Sequence, residues 1–207
     1  MSNAVKNLII KHRSIVEDDW TVLRFPDTAA DAGAEPSPPQ DPGSLAVPAG
    51  KVIVPLTVWL AQRDALGARA AAGEIGVWIA SDERAEALKG DLAQLTVVAV
   101  DFPKFTDGRG YSIAYNLRTR LAYSGELRAI GDVLRDQLFS MQRVGFDAYA
   151  TRPDRDIHDA LKGLSDFSET YQASVDQKLP LFRRHLRTGA GTGAEISVEA
   201  TDLGAGI

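Results

Sequence analysis

The chain has 207 residues, 44% hydrophobic and 25% charged, an ordinary balance for a globular protein of one or two domains. Its formal charge of −5 argues against nucleic acid or an anionic membrane surface as the main partner. With no cysteine, disulfides, thiol nucleophiles, CxxC redox pairs and cysteine-ligated zinc or iron–sulfur centres are excluded.

A cytoplasmic location is the expectation that follows. No apolar run approaches the ~20 residues of a membrane span, and residues 1–10 lack the long apolar core of a signal peptide.

In chain order, residues 7–11 and 15–25 are β-rich around a turn at 12–14, which predicts an N-terminal β-hairpin over residues 1–25. Residues 26–50 carry six prolines among Ala, Asp, Gly and Ser, with few large apolar side chains. That composition cannot bury enough surface to offset its chain entropy, so a linker is expected. Residues 188–207 are Gly/Ala-rich and read as a flexible tail.

Between them, residues 51–187 alternate. Short β-branched or apolar runs at 52–54, 75–80, 96–100, 127–130 and 146–150 are each followed by a helical stretch, at 57–70, 82–89, 110–121, 132–144 and 157–172. Ser81 is placed to cap the second helix. Five successive βα units predict an α/β domain with a parallel sheet. The sheet is either open and doubly wound or a partial (β/α) barrel. Both put ligand chemistry at the carboxyl ends of the strands.

The richest such segment is DFPKFTDGRGYS, residues 101–112. Free N–H groups at a helix start, with Lys104 and Arg109 nearby, suit a small oxyanion, and Thr106, Asp107, Tyr111 and Ser112 complete the candidate ligand-binding set. The bland alternative is a turn shaped by Pro103 and the glycines, with Asp107 as a cap. Ile113 breaks GxGxxG, and no GxxxxGK[ST] occurs.

A second segment runs from Leu127 to Gln137. Arg128 falls inside a strand covered on both faces, where an unpaired guanidinium costs several kcal/mol, so it needs a carboxylate or an aqueous cavity. Asp147 and Asp101 are the candidate partners by depth. Asp101 and Asp132 are the acid/base candidates, Asp132 reading also as a helix cap, and Asp136 joins the ligand-binding set. His12, His158 and His185 are scattered without ligand spacing, so no metal site is expected. Ser112 lacks a GxSxG elbow. Trp20, Trp59 and Trp78 read as core or hairpin anchors.

The text DFPKFTDGRGYSIAYNLRTRL followed by YSGELRAIGDVLRDQLFSMQRVGFDAYATR, residues 101–152, resembles an uncharacterised bacterial family encoded beside sulfite reductase genes. Its members are labelled probable oxidoreductases involved in sulfite reduction. The likeness is looser over IVEDDW, residues 15–20, and over residues 51–64. It implies a role in sulfate assimilation, with sulfite reductase components as possible partners, and it carries no assigned catalytic residues.

Two functions are therefore open. One is an accessory protein of sulfite reduction whose carboxyl edge holds a sulfur oxyanion or docks onto the reductase. The other is an oxidoreductase with a bound flavin or nicotinamide, Arg109 and Arg128 clamping its substrate. A non-catalytic structural subunit is the blander alternative.

Overall fold

The computed structural model describes residues 7–25 and 41–184. The strands are β1 (Leu8–Lys11), β2 (Ser14–Glu17), β3 (Thr21–Val22), β4 (Val52–Pro55), β5 (Ile75–Ile79), β6 (Val97–Phe102), β7 (Glu126–Gly131) and β8 (Ala148–Tyr149). The helices are α1 (Leu56–Ala71), α2 (Arg109–Thr119), α3 (Arg135–Arg143), α4 (Ile157–Lys162) and α5 (Leu181–Arg184).

All eight strands join one sheet in the order β2-β1-β8-β7-β6-β5-β4-β3. Strands β3 to β8 are mutually parallel, while β1 pairs antiparallel with both β2 and β8. A two-residue turn with positive φ at His12 and Arg13 closes the β1–β2 hairpin. The second hairpin arm is shorter than expected. It stops at Glu17, and β3 pairs with β4 at the far end of the strand order. Only residues 18–20 separate those two ends. Four peptide units reach roughly 14 Å at most, so the sheet must curl to bring its edges together.

The curl leaves two different faces. Val52, Val54, Val77, Ile79, Val98, Val100, Leu127, Ala129 and Tyr149 share a core with the buried side chains of α1 to α4. The alternate residues Ile53, Val97, Ala99 and Ile130 form a separate cluster with Trp20, Val22, Trp78 and Ala150, to which no helix contributes. Among the described residues, helices thus cover the outer face alone, the arrangement of a curled sheet rather than of a doubly wound one. The inner face is filled by the sheet's own side chains and by Trp20, while Leu23 and Phe25 pack against the helix-covered core.

Local chemistry fixes the elements that shape the rim. Pro55 carries β4 directly into α1, which kinks at Gln62, whose side chain donates to the carbonyls of Pro42 and Leu45. Arg69 likewise donates to the carbonyls of Pro48 and Gly50, so residues 41–50 lie along α1. The remainder of the expected linker, residues 26–40, and the expected tail lie outside the described residues. Gly110 lets α2 approach β6, since a Cβ there would meet the Phe102 ring at 2.6 Å.

Two expected helices are shorter than the sequence suggests. Residues 82–89 give only a 3-10 turn over Ala85–Leu88, and the Ser81 side chain faces the Asp107 carboxylate instead of capping a helix. The last long helix ends at Lys162 and passes through a 3-10 turn, Gly163–Ser165.

Candidate functional site

The carboxyl ends of β5, β6, β7 and β8 meet at one rim. Asp101 and Phe102 close β6 opposite Ile130 and Gly131 of β7. Asp101 points to the inner face, where its Oδ1 receives Arg24 Nη2 at 2.6 Å. The Arg24 guanidinium also lies 5.4 Å from the centre of the Trp78 ring.

The chain leaving β6 forms an exposed loop, residues 103–108, whose backbone is clamped at a single residue. The Phe105 N–H donates to Asp132 Oδ2 at 2.9 Å, and the Phe105 carbonyl accepts from Gln137 Nε2 at 2.7 Å. Gln137 Oε1 in turn accepts the Leu134 N–H, capping α3. The Phe105 side chain, by contrast, is turned outward and 54% exposed.

Asp132 is neither a cap nor a free base. Its other oxygen accepts from Arg152 at 3.1 Å, so both oxygens serve to tie the loops after β6, β7 and β8. Asp107 caps the first turn of α2 through the Arg109 N–H and forms a two-pronged pair with the Arg109 guanidinium. That guanidinium, together with the Ser81 hydroxyl, holds the Asp107 carboxyl well below the usual carboxylate range.

Of the other expected site residues, Lys104, Thr106 and Ser112 are exposed, and the Lys104 side chain has no partner among the described residues. Tyr111 packs edge-on against Phe102 at 5.6 Å; burial, then the Asp136 charge, pushes its phenol up. Asp136 itself is exposed in the first turn of α3, beside a cleft of about 540 Å³ lined by Arg135, Asp154, Arg155 and Asp159.

Arg128 does not join this rim. It sits mid-strand opposite Ala99 and Ala148, facing inward, and is 1% exposed. Its carboxylates are Asp18 and Glu126 rather than Asp101 or Asp147. Asp147 instead pairs with Arg118 and accepts the Leu127 N–H. The clamp of Arg109 with Arg128 is therefore not assembled: one guanidinium is on the outside of the rim and the other is sealed beneath it.

The rim arginines already have carboxylates: Arg24 has Asp101, Arg109 has Asp107, and Arg152 has Asp132 and Asp154. Such a rim offers an ion-paired, mixed-charge surface with Phe105 turned outward. Arg24, Phe105 and Arg152 were not among the expected site residues. An arginine ending a β-rich run gives no sign of which distant carboxylate it meets.

Among the described residues, no group of three or more His, Asp or Glu is arranged to hold a metal ion, and no helix is long and apolar enough to cross a membrane. No curated protein and no solved structure matches the chain. A family model described as a bacterial protein of unknown function matches residues 76–182, from β5 through α5. That is just over half of the 207 residues, and it spans the whole clamped loop. The chain belongs to this bacterial family, DUF934.

Proposed function

We propose that the protein is an accessory factor of sulfite reduction, docking through residues 103–109 onto a component of the sulfite reductase system. The observation that carries the docking role is Phe105. Its backbone donor and acceptor are both fixed to the β7–α3 corner while its ring stands in solvent. An apolar anchor whose backbone is fixed before binding saves part of the ordering cost that weakens flexible contacts.

Lys104 places an exposed positive charge beside the ring, which favours a partner pocket with an acidic margin. A sulfur oxyanion finds less support at this rim, since Arg24, Arg109 and Arg152 are each paired with a carboxylate. The pathway rests on the resemblance of residues 101–152 alone.

The test is copurification of the tagged protein from cells grown on sulfate. The wild type is expected to enrich a sulfite reductase component. Phe105→Ala is expected to lose at least tenfold of that enrichment, about 1.4 kcal/mol of binding, with an unchanged melting temperature. Failure of the wild type to enrich any such component overturns the pathway; equal enrichment by the variant overturns the assigned surface.

A further inference from the structure

Residues 18–25 run from the amino ends of the strands to their carboxyl ends along the edge strand β3, with an arginine–aspartate pair near each extremity. The two pairs differ. At the lower end, Arg128 and Asp18 have side chains 2% and 4% exposed, and one nitrogen meets both carboxylate oxygens. At the upper end, Arg24 and Asp101 share a single hydrogen bond, and the arginine side chain is 48% exposed. One end is an anchor. The other opens to solvent.

The upper end also lies where curled βα sheets take their ligands, on the inner side at the carboxyl ends of the strands. The chemistry gathered there suits a planar cation. Asp101 presents a carboxylate only 12% exposed, and the Trp78 ring supplies a face 5.4 Å from the guanidinium carbon. The ring is fixed by its own Nε1–H, which donates to the Leu23 carbonyl at 2.8 Å. A carboxylate so enclosed is costly without a counter-charge, and an indole face favours a guanidinium over a compact ammonium.

We propose that Asp101 and Trp78 form a guanidinium-binding site which the chain keeps filled with its own Arg24. An external guanidinium occupies it when the Arg24 side chain swings out. The tethered Arg24 competes at an effective concentration in the millimolar range, so external binding to the wild type is weak. The inference is independent of the docking role of Phe105.

N-acetyl-argininamide and free L-arginine are titrated into the wild type, Arg24→Gln, Arg24→Ala and the double variant Arg24→Gln/Asp101→Asn, following the indole N–H resonance of Trp78. Removal of Arg24 is expected to tighten at least one probe tenfold or more, and the Asp101 change to abolish that gain. N-acetyl-lysinamide is expected to bind at least threefold more weakly. Preference for the capped probe assigns the natural guanidinium to a protein-borne arginine, and preference for the free one to a metabolite. Either preference supports the site. Equal affinity of the wild type and both Arg24 variants overturns it, as does binding that survives in the double variant. Arg24→Gln keeps a polar, unbranched side chain at this position, should Arg24→Ala loosen the fold.

Discussion

Nη1 of Arg128 lies 2.9 and 3.0 Å from the two carboxylate oxygens of Asp18, a residue 110 positions earlier in the chain. Glu126 takes the other side of the guanidinium at 2.7 Å and extends the network to Lys11. Two cations and two carboxylates therefore balance inside the curl, at the point where residues 18–20 carry the chain from one end of the strand order to the other.

Breaking this network from the cationic side should be severe. Arg128→Met leaves two enclosed carboxylates with only the partly exposed Lys11, and removal of one partner of a buried pair typically costs about 3–5 kcal/mol. Asp18→Asn leaves Arg128 paired to Glu126 and should cost clearly less. Urea unfolding of the two variants measures the order. An equal or smaller loss in Arg128→Met would show that the network contributes packing alone.

The enclosed carboxyls also set the acid response. Burial pushes Asp18, Glu83 and Asp147 above the ordinary range, against the opposing pull of Arg128, the Ala80 N–H and the Leu127 N–H respectively. Such a group binds its proton more readily folded than unfolded, so stability falls as pH rises through the window just above the ordinary carboxylate values. Asp19, Asp107, Asp154 and Asp159 are lowered by their cation partners and act in the opposite sense, but solvent screens these exposed pairs. The denaturation midpoint at about pH 5 should therefore equal or exceed that at about pH 7, with loss only below roughly pH 4. Asp147→Asn should flatten the profile. A steady decline from neutrality to about pH 5 would contradict the raised carboxyls.

How much of this could be read from the residues depends on the range of the interaction. The apolar runs of β4 to β7 and the stretches forming α1 to α3 are visible because their periodicity is local. So was the need of Arg128 for a counter-charge. The identity of that counter-charge was not, because Asp18 becomes a neighbour only after the sheet has curled. Residues 15–25 read as one hairpin arm, since β-propensity says nothing about which strand a segment will pair with. Of the rim, the loop after β6 stood out by composition. That its backbone would be clamped at Phe105, and that Asp132 would be used up in doing so, depends on the parallel register of β6 with β7.

Gly131 tests that register. Its φ is +92°, and a Cβ there would press on the Phe102 carbonyl and come within 2.7 Å of Asp101 Oδ1. Gly131→Ala should cost about 2–4 kcal/mol, lowering the melting temperature by roughly 4–16 °C. Gly90→Ala, where a Cβ would meet nothing within 4 Å, serves as the matched control and should be near neutral. Similar melting temperatures for the two variants would mean that the corner after β7 is free to relax.

Charge at the proposed docking loop is probed by Lys104→Glu. The side chain is exposed and has no partner among the described residues, so its reversal should leave stability within about 0.5 kcal/mol of the wild type. Growth on sulfate as sole sulfur source should fail, while growth on a reduced sulfur source is unaffected. Normal growth on sulfate would remove the loop from the pathway.

Asp132→Ala separates a prepared anchor from a merely exposed one. The substitution removes the acceptor of the Phe105 N–H and of Arg152 while leaving every outward atom of the loop in place. If rigidity of the loop matters for docking, the variant should bind the partner more weakly by about tenfold, a loss of roughly 1.4 kcal/mol. Its amide at Phe105 should also exchange with solvent faster. Asp132→Asn keeps one acceptor oxygen and should fall between the two. Faster exchange at Phe105 with undiminished binding would show that the ring finds its pocket equally well from a loose loop, so that the clamp serves the fold and not the partner.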